Sequence, residues 1–150
     1  MASSDATERF AASASELGIE VAVRRYPEGT RTAIDAAAAV GCDVDQIVKS
    51  LVLMAGDQPI LVLCSGANRV DLAKVGAEFD GKVRMANADE VRAATGFAIG
   101  GAPPFGHPTP LPTLVDPHLL TFDEVWAAAG RPDSVFPLTP EALVAGSGAR

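Results

Sequence analysis

The sequence predicts an α+β fold built on a mixed β-sheet. Three observations predict this class. Amphipathic helical patterns alternate irregularly with strand patterns, and most of the strand patterns are joined by hairpin-type turns. The chain has 150 residues, of which 48% are hydrophobic and 21% are charged, a balance typical of a globular domain that buries a core. We therefore expect a single domain spanning residues 1–150.

The first third of the chain predicts two helices separated by a strand. Residues 5–17 have the spacing of an amphipathic helix whose apolar stripe ends at Leu17. The segment IEVAVRRY, residues 19–26, alternates apolar and polar residues as a strand does. Thr32 and Asp35 then have capping-box spacing, which predicts the start of the alanine-rich helix AIDAAAAVG.

The middle third predicts a hairpin followed by two short helices. In QIVKSLVLMAGDQPILVLCSG, two apolar runs surround GDQP, which is a turn signal. Asp71 predicts the N-cap of a short helix that ends at Val75, and VRMA predicts a short strand. Asn87 and Glu90 open a further helix, which ends near Gly96. The apolar runs fall far short of the roughly 20 residues that a membrane-spanning helix needs, so we expect no membrane partner.

The last third predicts a strand, a helix and one segment that has two interpretations. LPTLVD predicts a strand, and Thr139 followed by Pro140 predicts a helix start in TPEALV. Between them, Thr121 and Glu124 have capping-box spacing, which favours a helix in TFDEVWAAAG. The segment EVWAAAGRPDSVFPL is equally typical of a hairpin that turns at GRPDS. Local patterns do not decide between the two.

The formal net charge of −7 argues against an extended nucleic-acid-binding face, because neutralising many phosphates needs clustered Lys and Arg. We therefore expect no DNA partner. The charge is compatible with a protein that holds only the tip of a nucleic acid, since such a contact needs one or two cations in a pocket.

The two cysteines, Cys42 and Cys64, have no metal-type spacing. We expect both to be small buried hydrophobes in a reducing cytoplasm, and we expect neither a metal nor another cofactor. The opening segment MASSDATERF lacks the basic and apolar regions of a secretory signal, which favours the same cytoplasmic localisation.

Lys49 is the most informative single residue. Both faces of the strand pattern DQIVKSLVLM are mostly apolar, so this strand is predicted to be central in the sheet. An ammonium among Ile and Leu side chains is costly unless it has a partner or a water-filled pocket. The alternative is a lysine near the strand end whose head extends to solvent. The sequence leaves both interpretations open.

The segment GGAPPFG is the second candidate feature. Gly100, Gly101 and Gly106 permit positive φ and leave backbone N–H groups unshielded. Pro103 and Pro104 make the same segment rigid. Exposed amides on a stiff loop suit an oxyanion or a phosphate, although most Gly/Pro stretches only join two elements. The pattern matches neither a P-loop nor a GxGxxG fingerprint.

The two histidines give weaker signals. His107 directly follows the glycine-rich segment, where it could act as a general base or as a structural hydrogen-bonding group. For His118 only a structural role is indicated. The sequence contains no GxSxG motif and no recognisable Ser/His/Asp set, so an enzyme with this sequence would lack a protein-supplied nucleophile.

Taken together, several segments resemble the YbaK/prolyl-tRNA-synthetase-associated domain family. They are DQIVKSLVL, RVDLAKVG, ATGFAIGGAPPFGH, LPTLVD and LTPEALVAGSGA, in this order from about residue 30 to the C-terminus. The resemblance implies a compact mixed sheet, partly barrel-like, with helices packed around it. By this analogy EVWAAAG becomes a strand, against the capping-box signal.

The resemblance also implies a site. The family's lysine, associated with binding the terminal nucleotide and with activity, falls on Lys49, and the family's GxxxP loop, which surrounds the scissile ester, falls on residues 100–104. At position 107 family members vary, so His107 gains no catalytic status from the resemblance. The predicted catalytic residues are Lys49, Gly100 and Gly101. The predicted substrate-binding residues are Lys49, Ala102, Pro103, Pro104, Gly106 and His107.

The function implied by the resemblance is that of a freestanding trans-editing deacylase. Such an enzyme hydrolyses a small amino acid, such as Ala, Cys, Ser or Thr, from tRNA for proline or a related tRNA, through backbone stabilisation of the oxyanion and substrate-assisted attack of water. Its partners are the aminoacylated acceptor end and an aminoacyl-tRNA synthetase. The alternatives are a non-catalytic module that holds an aminoacyl end or small ligand and docks on a synthetase, and a general small-ester hydrolase.

Overall fold

A computed structural model describes residues 6–19, 21–26, 32–79, 81–107, 109, 111–131 and 133–149. Within these residues the chain forms one seven-stranded mixed sheet and five α-helices, which confirms the predicted α+β class. The helices are α1 (Ala6–Glu16), α2 (Ala33–Val40), α3 (Leu72–Glu78), α4 (Ala88–Thr95) and α5 (Pro140–Ser147). The strands are β1 (Arg24–Arg25), β2 (Ile47–Ala55), β3 (Gln58–Ser65), β4 (Val83–Met85), β5 (Thr113–Val115), β6 (Val125–Ala128) and β7 (Ser134–Leu138). None of the described helices is long and apolar enough to cross a membrane.

The strand order is β1-β7-β6-β2-β3-β5, with β4 added to β2. The predicted hairpin of β2 and β3 is present and antiparallel, as is the pair of β6 and β7. The pairs β2–β6 and β3–β5 are parallel, so the sheet is mixed. Strand β2 therefore lies in the middle of the sheet, as its two apolar faces predict.

Strand β2 has two different partners on the edge that faces away from β3. Strand β6 pairs with residues 47–48, whereas β4 pairs with residues 53–55. No described strand pairs with this edge of residues 49–51, between the two partners. The sheet is therefore open at this point, and we call this gap the sheet opening.

The two faces of the sheet are covered differently. One face carries the main core, in which the rings of Phe10, Phe105 and Phe136 lie 5.0 to 6.0 Å apart. The other face carries two smaller apolar clusters, one beneath α2 around Trp126 and one beneath α3 around Leu53. Because side chains alternate along a strand, β2 contributes to the main core and to both of these clusters.

Four of the predicted helix caps are confirmed. Asn87 and Glu90 form a reciprocal capping box at the start of α4. The side chains of Thr32 and Thr139 each accept a hydrogen bond from a backbone N–H of the first helical turn. Asp71 caps α3, which runs to Glu78 and is thus longer than the sequence predicts.

The strand predicted over residues 19–26 is wrong for most of its length. Among its described residues only Arg24 and Arg25 pair with a neighbouring strand, at the outer edge of the sheet, where they lie opposite Val135 and Ser134 of β7. The apolar stripe of α1 also ends earlier than predicted, because Leu17 is 51% exposed and lies beyond the helix.

The segment with two interpretations forms the hairpin β6–β7, as the family resemblance implies. The capping-box signal at Thr121 is wrong, because this residue ends a 3₁₀ helix over Pro117–Thr121 and its hydroxyl donates to the carbonyl of His118 at 2.7 Å. Val125 and Trp126 are then held by strand pairing.

Candidate functional site

A cavity of about 470 Å³ lies at the sheet opening, within the size range of small-molecule sites. Its walls come from the start of α2, residues 47–51 of β2, the turn at residues 99–102 and strand β6. The structure thus places Lys49, Gly100 and Ala102, three of the predicted site residues, around one cavity.

The lining of this cavity is mostly apolar, with Lys49, Thr32 and Ser50 as its polar side chains. Trp126 and Val135 are buried at its floor, and the guanidinium of Arg24 lies 5.0 Å from the centre of the Trp126 ring. Ile34 and Ile99, which also line it, are 72% and 56% exposed and so belong to its mouth. Among the described lining residues Lys49 carries the only charge, and there is no Asp, Glu, His or Cys.

Lys49 is half-buried and has a partner. Its ammonium group donates a hydrogen bond to the backbone carbonyl of Asn68 at 2.6 Å. This hydrogen bond is exposed to solvent and Lys49 lies near the start of the strand, so the contact is compatible with both interpretations of the sequence. An ammonium group has three N–H donors, so two remain for a ligand.

Cys64 lies opposite Lys49 on β3 and is buried, as predicted, whereas Cys42 is only half-buried. Burial, with a smaller contribution from the carboxylate of Asp116, raises the pKa of the Cys64 thiol despite the nearby ammonium of Lys49. Burial likewise raises the pKa of Cys42. Both groups are therefore protonated thiols near neutral pH, which makes them poor nucleophiles.

The turn at residues 98–101 contributes Ile99 and Gly100 to the lining of the cavity. The N–H of Gly101 donates to the carbonyl of Ala98 at 3.0 Å, and Gly100, the third residue of the turn, has φ +85°, as a type II turn requires. The carbonyl of Gly101 accepts from the N–H of Gly130 at 2.9 Å. The N–H of Gly101 is therefore used within the turn. The N–H groups of Gly100 and Ala102 donate to no backbone carbonyl of the described residues.

Ser50 directs polar groups into the same cavity. The carbonyl of Ile47 accepts from Gly66 at the end of β3, whereas the carbonyl of Val52 accepts from Ala86 beside β4. Since successive residues of a strand direct their backbone groups to alternate edges, the N–H and carbonyl of Ser50 face the sheet opening. Its hydroxyl oxygen is buried and has no hydrogen-bond partner among the described residues.

The rest of the glycine-rich segment faces elsewhere. Pro104, Gly106 and His107 line a second cavity of about 390 Å³, next to the end of α1, and Pro103 is fully buried. The Nε2–H of His107 donates to the carbonyl of Pro103 at 2.8 Å, and burial lowers the pKa of the imidazole, so the ring is neutral near pH 7. The roles predicted for these four residues stay predictions.

Three features of the site escape sequence reasoning. Ser50 follows Lys49 directly, but only the paired strands reveal that its edge of β2 is open. Trp126 reaches the cavity floor through the hairpin that local patterns leave undecided. Asn68, the partner of Lys49, uses its backbone carbonyl, which no residue type identifies.

Comparisons with known proteins place the chain in a family. A sequence model of the aminoacyl-tRNA editing domain matches residues 27–145. A solved structure described as a candidate trans-editing enzyme for prolyl-tRNA synthetase is 46% identical, with a TM-score of 0.92, over 97% of this chain and 93% of that chain.

Two sequence relatives agree with this match. The uncharacterised protein YwhH of Bacillus subtilis (strain 168) is 34% identical over 122 residues, which are 81% of this chain and 78% of that protein. EbsC of Enterococcus faecalis, named as a candidate Cys-tRNA(Pro)/Cys-tRNA(Cys) deacylase, is 26% identical over 121 residues, 79% of this chain and 74% of that protein. The chain belongs to the aminoacyl-tRNA editing domain family.

Proposed function

We propose that the protein is a freestanding trans-editing hydrolase that removes a small amino acid from a mischarged tRNA in the cytoplasm. One observation carries the proposal: Lys49 and the turn at Gly100 line a single cavity whose described lining residues include no Asp, Glu, His or Cys, so the hydroxyls of Thr32 and Ser50 have no base beside them there. Membership of the editing-domain family supports the same function.

An aminoacyl ester suits such a cavity because it is already activated. Hydrolysis needs a positioned water and stabilisation of the tetrahedral oxyanion more than a strong nucleophile. In our proposal the N–H groups of Gly100, Ala102 and Ser50 provide donors for that oxyanion, and the Ser50 hydroxyl, which is buried in the free protein, joins them by rotation about χ1. Gly101 contributes through the turn, since its own N–H is occupied.

The proton is moved by the substrate. Water attacks the ester carbonyl carbon while the free ribose hydroxyl or the α-amine of the amino acid accepts its proton. The tetrahedral intermediate then collapses, the bond to the ribose oxygen breaks, and that oxygen takes up the proton. The products are the free amino acid and a tRNA with an intact 3′ end.

Lys49 anchors the terminal nucleotide. Its two remaining N–H donors can bind a phosphate oxygen as a point charge. The exposed Ile34 and Ile99 offer apolar surface at the mouth for the terminal base. Because only the acceptor end is held, the net charge of −7 is no obstacle, and a synthetase could hold the rest of the tRNA.

The experiment that tests the proposal is a single-turnover assay with a panel of mischarged tRNAs. We expect release of free Ala, Cys, Ser or Thr from tRNA for proline or a related tRNA. Retention of the intact aminoacyl-tRNA would instead indicate a non-catalytic module that docks on a synthetase. Turnover of simple amino-acid esters without the nucleotide would indicate a general esterase, and inactivity on every ester would refute the proposal.

Ser50→Ala is expected to change activity and stability in opposite directions. The variant loses a donor at the proposed oxyanion position, so deacylation falls at least about tenfold. It also removes a buried hydroxyl that has no partner among the described residues, so the free energy of unfolding stays constant or rises by up to about 1 kcal/mol. Urea unfolding and the deacylation assay measure the two effects.

Ser147→Ala is the matched control. The Ser147 hydroxyl donates to the carbonyl of Leu143 at 2.6 Å in α5, outside the cavity that contains Lys49. Its removal should lower stability by about 1 kcal/mol and leave deacylation unchanged. Full activity in Ser50→Ala would contradict the role proposed for Ser50.

A further inference from the structure

We propose that Asp116 is the positioning residue for Lys49 and acts through Asn68. The carboxylate holds the side chain of Asn68, and the backbone carbonyl of Asn68 holds the ammonium of Lys49. The inference rests on the proposed function, because it assigns Asp116 to the same reaction. Nothing in the sequence brings these three residues together, since they are separated by 19 and 48 positions.

The carboxylate of Asp116 is itself held in place from several directions. Its Oδ2 accepts from the backbone N–H of Ser65 at 3.1 Å and from the side-chain amide of Asn68 at 2.9 Å. Its Oδ1 accepts from the N–H of His118 at 3.0 Å. Both oxygens are thus engaged, so the carboxylate has a fixed direction toward Asn68.

The sheet fixes the position of this carboxylate. Asp116 directly follows β5, which runs parallel to β3, and its N–H donates to the carbonyl of Leu63 in β3 at 2.8 Å. Asn68 lies in the connection between β3 and α3, where its N–H donates to the carbonyl of Ser65 at 2.9 Å. Asp116 therefore ties this connection to the sheet at the point where it meets Lys49.

The electrostatics favour the same arrangement. Burial would raise the pKa of Asp116, but the hydrogen bonds from Asn68, His118 and Ser65 outweigh it and hold the pKa below its usual range. Asp116 is consequently a carboxylate near neutral pH. Asp116 is connected to Lys49 only through Asn68. Its carboxylate therefore does not occupy the remaining N–H donors of the ammonium, which stay available for a phosphate.

A lysine side chain has four rotatable bonds, and ordering it has an entropic cost of up to about 2 kcal/mol. If the carbonyl of Asn68 is held in place, the ammonium of Lys49 is already oriented for phosphate binding before the tRNA binds. If the carbonyl is no longer held, the ammonium keeps its charge but loses its fixed orientation. The lysine side chain must then be ordered during tRNA binding, which costs affinity.

The test combines two variants with a double-mutant cycle. Asn68→Ala keeps the backbone carbonyl and removes only the bond to Asp116, and Asp116→Asn keeps the acceptor for the N–H of His118. We expect each to lower kcat/KM for deacylation about tenfold in the wild-type background, and to cause no further loss in a Lys49→Ala background. Losses that are additive with Lys49→Ala, or full activity in both single variants, would overturn the proposal.

Asp71→Asn is the matched control, because Asp71 is also a capping aspartate but its carboxylate accepts hydrogen bonds only from the N–H groups of Ala73 and Lys74. It should leave kcat/KM unchanged. If Asp116→Asn fails to fold, Asn68→Ala carries the test, since the amide of Asn68 is exposed and caps no helix.

A spectroscopic measurement separates this inference from the proposed function. The chain has three lysines, at positions 49, 74 and 82, so their ¹⁵Nζ signals can be assigned by substitution. We expect the Lys49 signal to differ from the other two in the wild type and to approach them in Asn68→Ala. An unchanged Lys49 signal would overturn the positioning role. An inactive wild type with the expected NMR change would refute only the deacylase.

Discussion

Lys49→Ala is expected to lower kcat/KM for deacylation by about 10²-fold, the scale of losing one preorganised electrostatic contact in an active site. Lys49 carries the only charge among the described residues that line the cavity, so no neighbour there can replace it. The loss should be measured with the mischarged tRNA that the panel identifies, under single-turnover conditions.

Two comparisons make the result specific. Lys74→Ala removes an exposed lysine of α3 that does not line the cavity, and it should keep full activity. Lys49→Arg keeps the charge, but the planar guanidinium fits the carbonyl of Asn68 differently, so partial activity is expected. Full activity of Lys49→Ala would remove the basis for the proposed site.

The fold follows from the sequence wherever one local interaction decides it. In the capping box, Asn87 and Glu90 are three residues apart, and Thr139 and Pro140 at the start of α5 are adjacent. Each of these signals is therefore visible in a short stretch of sequence. The hairpin of β2 and β3 is equally local, because its turn lies between two apolar runs.

Long-range pairing decides the elements that the sequence misses. Thr121 and Glu124 have capping-box spacing, but the hydroxyl of Thr121 donates to the carbonyl of His118 in a 3₁₀ helix. The chain then enters strand β6 at Val125. Conversely, residues 19–26 alternate like a strand, but of the residues described there only Arg24 and Arg25 pair with another strand. Local propensity is overridden in both cases by the neighbours available.

The site is predictable only in part for the same reason. Lys49 stands out because a cation interrupts an apolar strand, and Gly100 stands out because of its flanking prolines. The sheet opening depends on where β6 and β4 stop pairing with β2, which no local pattern encodes. Likewise, only the structure shows that the N–H of Gly101 donates to the carbonyl of Ala98 within the turn and is therefore not available to a substrate.

Gly130→Ala is expected to be strongly destabilising, lowering the free energy of unfolding by about 2–4 kcal/mol. Gly130 has φ +106°, a conformation that costs an L-residue about 1–2 kcal/mol. An added Cβ would also lie 2.6 Å from the carbonyl oxygen of Ala6, a backbone atom at the start of α1 that cannot easily move. Urea unfolding measures the loss.

Gly41→Ala separates these two causes. Gly41 has φ +80° and open space around its added Cβ, so it should show the conformational cost alone, about 1 kcal/mol. The excess loss in Gly130→Ala then reports the contact with α1.

Because the N–H of Gly130 also holds the carbonyl of Gly101, deacylation should fall in this variant even at temperatures where it remains folded. Equal losses of stability in the two variants would show that α1 yields to the methyl group, and unchanged deacylation would show that the turn at Gly100 does not depend on this anchor.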